Sequence, residues 1–208
     1  MITGLEGRPL VLASNSRARE IMLRQAGLKI TVQPADLDEG AIKAALQTAS
    51  SAAGAIAAAL AQAKAQAVAR YHPDAWVIGA DQILSCDGEL FDKAPDVAAA
   101  GTILRRLQGR RHELHAAVCV VRYDGTEDLI LWHHTCTAQL WMRSLSDDLI
   151  AGYLDQAGRS VLCSVGCYRI EGLGVQLFDR IEGDHFTILG LPLMPLLHFL
   201  RTAGLSRR

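Results

Sequence analysis

The sequence lacks an excess of charge of either sign. Its 21 lysine and arginine residues are balanced by 22 aspartate and glutamate residues, which gives a formal net charge of −1. Proteins that bind duplex nucleic acid or an anionic membrane surface usually present a basic field. The balance therefore argues against both partner classes, and it predicts that any anionic ligand is held by a few placed charges.

Long hydrophobic runs are also missing. The apolar stretch over residues 187–200 is about one turn shorter than a bilayer-spanning helix, and it contains Pro192 and Pro195. At the N-terminus, charges precede a very short apolar run, so no secretory signal is visible. The five cysteines are odd in number. We interpret them as reduced thiols and expect a cytoplasmic protein.

No linker, repeat or long charge block divides the 208 residues. This length fits one domain, or two small lobes around one cleft, and we expect a single domain over residues 1–208. Helical patterns alternate with strand patterns, and a hairpin is indicated around Asp87 and Gly88. We therefore predict an α/β fold in which helices flank a mixed sheet.

The first strand–turn–helix pattern is the first candidate for a ligand site. The apolar run from Pro9 to Ala13 predicts a buried strand, and Ser16 and Gly27 suit the two ends of a helix. Free N–H groups at such a helix start, with Ser14 and Arg19 beside them, suit a phosphate group. Taken alone, this pattern more often belongs to an ordinary serine-capped helix than to a phosphate site. A Walker loop and a dinucleotide fingerprint are excluded because neither glycine spacing occurs.

A carboxylate and a lysine form the second candidate. The run AWVIGA at residues 75–80 predicts a buried strand that ends at Asp81, where open α/β sheets place ligands. An aspartate there is suited to hold a divalent cation or to act as a general base, although it equally suits the start of a turn. Residues 41–70 form an alanine-rich helical stretch that we expect Gly54 to interrupt. Lys64 lies next to the apolar face of that stretch, and its amine is within reach of a cleft.

Other isolated polar residues carry weaker signals. Glu39 and Lys93, taken singly, are typical of solvated surface charges. The pair His112 and His115 suggests zinc, but it lacks a cysteine pair and a helical HExxH context. We therefore do not predict a zinc site.

Seven segments in order resemble the Maf family of nucleoside triphosphate pyrophosphatases. They are LASNSRARE (12–20), PADLDE (34–39), LAQAKAQAVA (60–69), VIGADQIL (77–84), FDKAPD (91–96), LQGRRHEL (107–114) and IEGLGVQLFDRIEGDHFTILGLPL (170–193). Each segment is modest alone, but their shared order over nearly the whole chain argues against chance. The resemblance implies a Maf/ITPase-like fold with two lobes around a central cleft.

The resemblance also implies roles for particular residues. The implied catalytic residues are Glu39, Lys64, Asp81 and Lys93. The implied substrate-binding residues are Ser14, Arg19 and Gln82. Asp81 and Glu39 would bind a divalent cation, Mg²⁺ or Mn²⁺, and Asp81 would also serve as the general base. Because both roles use the same carboxylate oxygens, the sequence leaves open which of them Asp81 mainly performs.

The reaction implied by the resemblance converts a nucleoside triphosphate and water into a nucleoside monophosphate and pyrophosphate. Gln82, together with the segments LFDRIEG and GLPL, looks most like the family branch that acts on 7-methyl-GTP. A homodimer is implied as well. Arg17, Ala18 and Ala94 depart from the family pattern. These departures motivate an alternative, a nucleotide-binding regulatory protein whose catalysis is weakened.

Overall fold

A computed structural model describes residues 8–48 and 52–205. Its strands are β1 (Leu10–Leu12), β2 (Ile30–Val32), β3 (Trp76–Cys86), β4 (Glu89–Phe91), β5 (Arg111–Tyr123), β6 (Asp128–Met142) and β7 (Phe178–Glu182). Its α-helices are α1 (Arg17–Gln25), α2 (Glu39–Thr48), α3 (Ala53–Ala69), α4 (Val97–Leu107), α5 (Asp147–Ala157), α6 (His185–Ile188) and α7 (Leu193–Leu200). Short 3₁₀ segments span Gly158–Cys163, Val165–Cys167 and Leu173–Leu177, and a π-helical turn spans Arg201–Leu205.

The seven strands form one mixed sheet, which confirms the predicted α/β class. The sheet order is β2–β1–β3–β5–β6–β7, and β4 pairs with β3. Strand β1 runs parallel to both β2 and β3. Strands β4 and β7 run antiparallel to β3 and β6, respectively. Parallel pairing places the carboxyl end of β1 opposite Ile78, the third residue of β3.

The chain forms two compact units. The first is drawn from residues 1–82, 116–136 and 184–208, and the second from residues 83–115 and 137–183. Strands β3, β5 and β6 each contribute residues to both units. The single domain over residues 1–208 and the two-lobed cleft stay predictions.

The core of the first unit lies between β1, β3 and two helices. Leu12 and Ile78 are fully buried at paired positions of β1 and β3. They belong to one apolar cluster with Leu23 of α1 and Leu196 of α7. Burying each such side chain contributes about 1.5–3 kcal/mol to folding. This packing fixes the turn between β1 and α1 against the first half of β3.

The hairpin predicted at Asp87 and Gly88 is confirmed. Cys86 pairs with Glu89, so Asp87 and Gly88 alone connect β3 to β4. Both have positive φ angles, 50° for Asp87 and 81° for Gly88. Two positive φ angles give the turn the twist that antiparallel neighbouring strands need.

The prediction that Asp81 ends its strand was wrong. Strand β3 continues to Cys86, because its second half pairs with β4 through the hairpin. The pairing of β1 with β3 nevertheless stops at Leu12 and Ile78. Asp81 therefore lies three residues beyond the last β1 pair, inside a continuous strand.

The predicted break at Gly54 was also wrong. Gly54 lies in the first turn of α3, which begins at Ala53 after the extended residue Ala52. Glycine is unfavourable mainly in a helix interior, so the first turn tolerates it. Lys64 lies on the buried face of α3, not beside it.

Candidate active site

The first turn of α1 is built as the sequence predicts. Ser16 is the N-cap of α1, and its side chain accepts a hydrogen bond from the Arg19 backbone N–H. The buried hydroxyl of Ser14 accepts a hydrogen bond from the Ser16 backbone N–H at 3.3 Å. These bonds hold the turn between β1 and α1 in one arrangement.

Arg19 is buried, with 8% of its surface exposed. Its Nη1 donates to the Ser14 hydroxyl at 3.0 Å and to the Ala80 carbonyl at 2.9 Å, and its Nε donates to the Gly190 carbonyl at 2.8 Å. Burial lowers the pKa of the guanidinium, whereas the negative charges of Asp81 and Glu39 raise it. The guanidinium thus links the first turn, β3 and the segment before α7.

Lys64 lies between two carboxylates that come from different elements. Its Nζ is 2.7 Å from Oδ1 of Asp81 on β3 and 2.7 Å from Oε2 of Glu39 on α2. The Lys64 and Asp81 side chains are buried, whereas the Glu39 side chain is 50% exposed. A buried lysine usually needs such partners, because an unpaired buried charge is costly.

Two local features bring these three side chains together. Asp38 accepts a hydrogen bond from the Ala41 backbone N–H at 2.9 Å, which caps the start of α2 and places Glu39 in its first turn. A Cβ atom at Gly79 would lie 2.0 Å from the Ala61 carbonyl oxygen. Only glycine therefore lets α3 lie this close to β3, where Lys64 reaches Asp81.

Gln82 follows Asp81 and has a fixed amide orientation. Its Nε2 donates to the Thr187 carbonyl at 2.9 Å and to the Ile188 carbonyl at 3.1 Å. Since both amide hydrogens are used by these carbonyls, the side chain offers only the acceptor Oε1 for further contacts.

The structure brings six of the predicted site residues into the first unit, namely Ser14, Arg19, Glu39, Lys64, Asp81 and Gln82. Lys93 is exposed on the connection between β4 and α4, in the second unit. Its catalytic role stays a prediction.

The sequence interpretation missed the contribution of the segment that contains α6. Its backbone carbonyls accept hydrogen bonds from Arg19 and Gln82, and carbonyls exist at every position, so residue types do not reveal them. Two signals were nevertheless present. Asp184 stands just before the run FTIL and is a residue type that favours an N-cap, and Gly190 follows that run and suits the positive φ, +98°, that it has in the structure.

The carboxylate oxygens of Asp81 and Glu39 are donors of the kind that hard divalent cations prefer. Both carboxylates contact the Lys64 ammonium, which occupies the position between them. Within residues 8–48 and 52–205, no group of three or more His, Cys, Asp or Glu side chains is arranged to hold a metal. A bound Mg²⁺ or Mn²⁺ would therefore complete its coordination with waters and ligand oxygens, as Mg²⁺ commonly does.

The two histidines that suggested zinc have other partners. His112 is 1% exposed, and its Nε2 lies 2.7 Å from the Tyr168 hydroxyl. His115 contacts the Ser85 hydroxyl at 3.0 Å. Burial lowers the pKa of both rings, that of His112 to about 4. None of the helices within residues 8–48 and 52–205 is long and apolar enough to cross a membrane.

Comparison with known proteins gives matches along almost the whole chain. A family model described as "Maf-like protein" matches residues 9–203. A "Nucleoside triphosphate pyrophosphatase" of Nitrobacter hamburgensis is 50% identical over 200 residues, 96% of each chain. One of the same name from Rhodopseudomonas palustris is 52% identical over 99% of this chain and 98% of its own. A "7-methyl-GTP pyrophosphatase" of Rhizobium etli is 46% identical over 94% of this chain and 96% of its own.

Proposed function

The chain belongs to the Maf-like protein family, and we propose on that premise that it is a nucleoside triphosphate pyrophosphatase. The substrate and water yield a nucleoside monophosphate and pyrophosphate. The observation that carries the proposal is the position of Lys64 between Asp81 and Glu39. This arrangement brings together the proposed base, an ammonium group and a second carboxylate. Such a set is suited to water attack on an anionic phosphate.

In the proposed reaction, the water oxygen forms a bond to the α-phosphorus. The bond from that phosphorus to the oxygen that bridges it to the β-phosphorus breaks, and pyrophosphate leaves with the electron pair. Asp81 accepts the proton from water. Lys64 orients that carboxylate through Oδ1. Positive charge on Lys64 and Arg19, with that of Lys93, offsets charge on the phosphate oxygens.

We propose that Asp81 and Glu39 bind the cofactor, Mg²⁺ or Mn²⁺. Their hard oxygen donors support this assignment. When bound, the cation neutralises phosphate charge and makes water more acidic. The residues of the chain then position the water, accept its proton and hold the phosphates.

The finer proposal concerns the base. The Rhizobium etli relative is named for 7-methyl-GTP, and Gln82 after Asp81 resembles that branch. We propose 7-methyl-GTP as the preferred substrate. Gln82 would contact it as an acceptor through Oε1, which suits an N–H or O–H group of the nucleotide and not a phosphate oxygen.

A substrate panel tests both levels of the proposal. Canonical ribonucleoside and deoxyribonucleoside triphosphates and 7-methyl-GTP are compared with Mg²⁺, with Mn²⁺ and with chelator, and pyrophosphate is quantified. We expect metal-dependent pyrophosphate release that is fastest for 7-methyl-GTP. A faster canonical substrate contradicts the finer proposal alone, whereas stepwise release of orthophosphate contradicts the reaction.

Asp81→Asn tests the proposed base. A positioned general base contributes about 10²–10⁴-fold, so kcat is expected to fall by that factor while the fold is kept. Asp155→Asn is the matched control, because it makes the same change on the exposed surface of α5. Wild-type turnover in Asp81→Asn would remove Asp81 from the mechanism.

One observation favours the second candidate, a weakened regulatory nucleotide binder. Arg17, which stands where the family has proline, is exposed and pairs with Glu20 on the surface of α1. Nucleotide binding without metal-dependent turnover would support this candidate and contradict the enzyme.

We propose two further properties. The family resemblance implies a homodimer, and the odd number of cysteines, interpreted as reduced thiols, supports the cytoplasm. Light scattering of the purified protein measures the mass of the assembly, and a mass of one chain contradicts the dimer.

A further inference from the structure

Residues 184–190, hereafter the 184–190 segment, contact Gln82 and Arg19 through their backbone carbonyls. The Thr187 and Ile188 carbonyls accept both hydrogens of the Gln82 side-chain amide. Gln82 is the residue after Asp81, so the segment restrains the backbone on one side of that carboxylate.

The same segment restrains the other side of Asp81 through Arg19. The Gly190 carbonyl accepts a hydrogen bond from Arg19 Nε, and Nη1 of the same guanidinium donates to the Ala80 carbonyl. Ala80 is the residue before Asp81. Displacement of the 184–190 segment would therefore change the contacts on both sides of Asp81 together.

The position of these carbonyls depends on a very short helix. Helix α6 has only four residues, and a helix of this length is not stable by itself. Asp184 is its N-cap, and Oδ2 accepts hydrogen bonds from the Thr187 backbone N–H at 2.8 Å and from the Thr187 hydroxyl at 3.1 Å. Thr187 is fully buried. The Asp184 carboxylate thus fixes the residue whose carbonyl holds Gln82.

We propose that Asp184 is a positioning residue for the reaction. By capping α6, its carboxylate fixes the carbonyls that hold Gln82 and Arg19, and through them the orientation of Asp81. This inference rests on the proposed pyrophosphatase activity, in which Asp81 is the base.

The test compares the loss of two helix caps. Asp184→Ala removes the α6 cap, and Ser146→Ala removes the α5 cap, in which Ser146 Oγ accepts from the Leu149 backbone N–H at 3.2 Å. Each variant is expected to lower Tm by about 2–4 °C. Pyrophosphate release is measured well below both Tm values. Asp184→Ala should lower kcat by about tenfold or more, since a 1 Å misplacement can cost about 10²-fold. Ser146→Ala should keep the wild-type kcat.

Rescue and a milder variant complete the test. Asp184→Ser restores a side-chain cap and should recover most of kcat. Thr187→Val removes the hydroxyl bond to Asp184 and the hydroxyl contact with Cys136, keeps the backbone N–H bond, and should lower kcat less than tenfold but measurably below the wild type. If Asp184→Ala does not fold, a wild-type kcat in Thr187→Val overturns the inference. Equal kcat in Asp184→Ala and Ser146→Ala, or no recovery with Asp184→Ser, overturns the inference. A wild-type protein that releases no pyrophosphate instead overturns the proposed function.

Discussion

Acidification is expected to destabilise the protein through one buried histidine. His112 is 1% exposed, its Nδ1 has no hydrogen-bond partner among the residues that the structure describes, and burial lowers its pKa from 6.5 to about 4. In the unfolded chain the same ring has a pKa of about 6.5. Between these two values the unfolded state binds more protons than the folded state, so stability falls as pH falls through this window.

The size of the effect follows from the two pKa values. At pH 5 the unfolded ring is almost fully protonated, whereas the folded ring with a pKa of about 4 is mostly neutral. Proton linkage then lowers the free energy of unfolding by about 2 kcal/mol relative to pH 7.5. The full difference, about 3 kcal/mol, is reached only below pH 4, where carboxylates also titrate.

Chemical denaturation at pH 7.5 and pH 5 measures this effect. His112→Gln keeps a polar group near the Tyr168 hydroxyl but cannot be protonated, so its loss of stability between the two pH values should be about 2 kcal/mol smaller than that of the wild type. His133→Gln, on the exposed side of β6, is the control and should behave as the wild type does. An unchanged pH dependence in His112→Gln would refute the linkage argument.

Two further substitutions test the packing of α3 and the charge it carries. Gly79→Ala places a Cβ 2.0 Å from the Ala61 carbonyl oxygen. This overpacking should lower the free energy of unfolding by at least about 1–3 kcal/mol, as measured by urea denaturation. Wild-type stability would contradict the close packing of α3 against β3. Lys64→Met removes the ammonium between Asp81 and Glu39. It should lower kcat for pyrophosphate release by about 10²–10³-fold. A loss below tenfold would argue against electrostatic stabilisation by Lys64.

Sequence reasoning succeeded where the determining chemistry is local. Ser16, predicted at the start of α1, is its N-cap in the structure, because its side chain accepts a hydrogen bond from the backbone N–H three residues later. The hairpin at Asp87 and Gly88 likewise depends on two neighbouring residues that adopt positive φ.

Sequence reasoning failed where a partner far along the chain decides. Contacts between site residues are of this kind. Lys64 and Asp81 are separated by 17 residues, and Arg19 and Gly190 by 171. From the sequence, only the family resemblance placed residues such as Lys64 and Asp81 in one site. It assigned no role to the carbonyls of the 184–190 segment.

The alanine content of α3 acquires a physical reason from these contacts. Alanine favours helix formation, but that preference alone would equally allow leucine or glutamate on the buried face. The close approach of α3 to Gly79 is more restrictive, because the Ala61 carbonyl and the Ala65 backbone N–H both lie within 3 Å of where a Cβ would stand. Larger side chains on this face would hold the helix farther from β3 and lengthen the reach of Lys64 to Asp81. Alanines with no chemistry of their own therefore set the distance on which the proposed base depends.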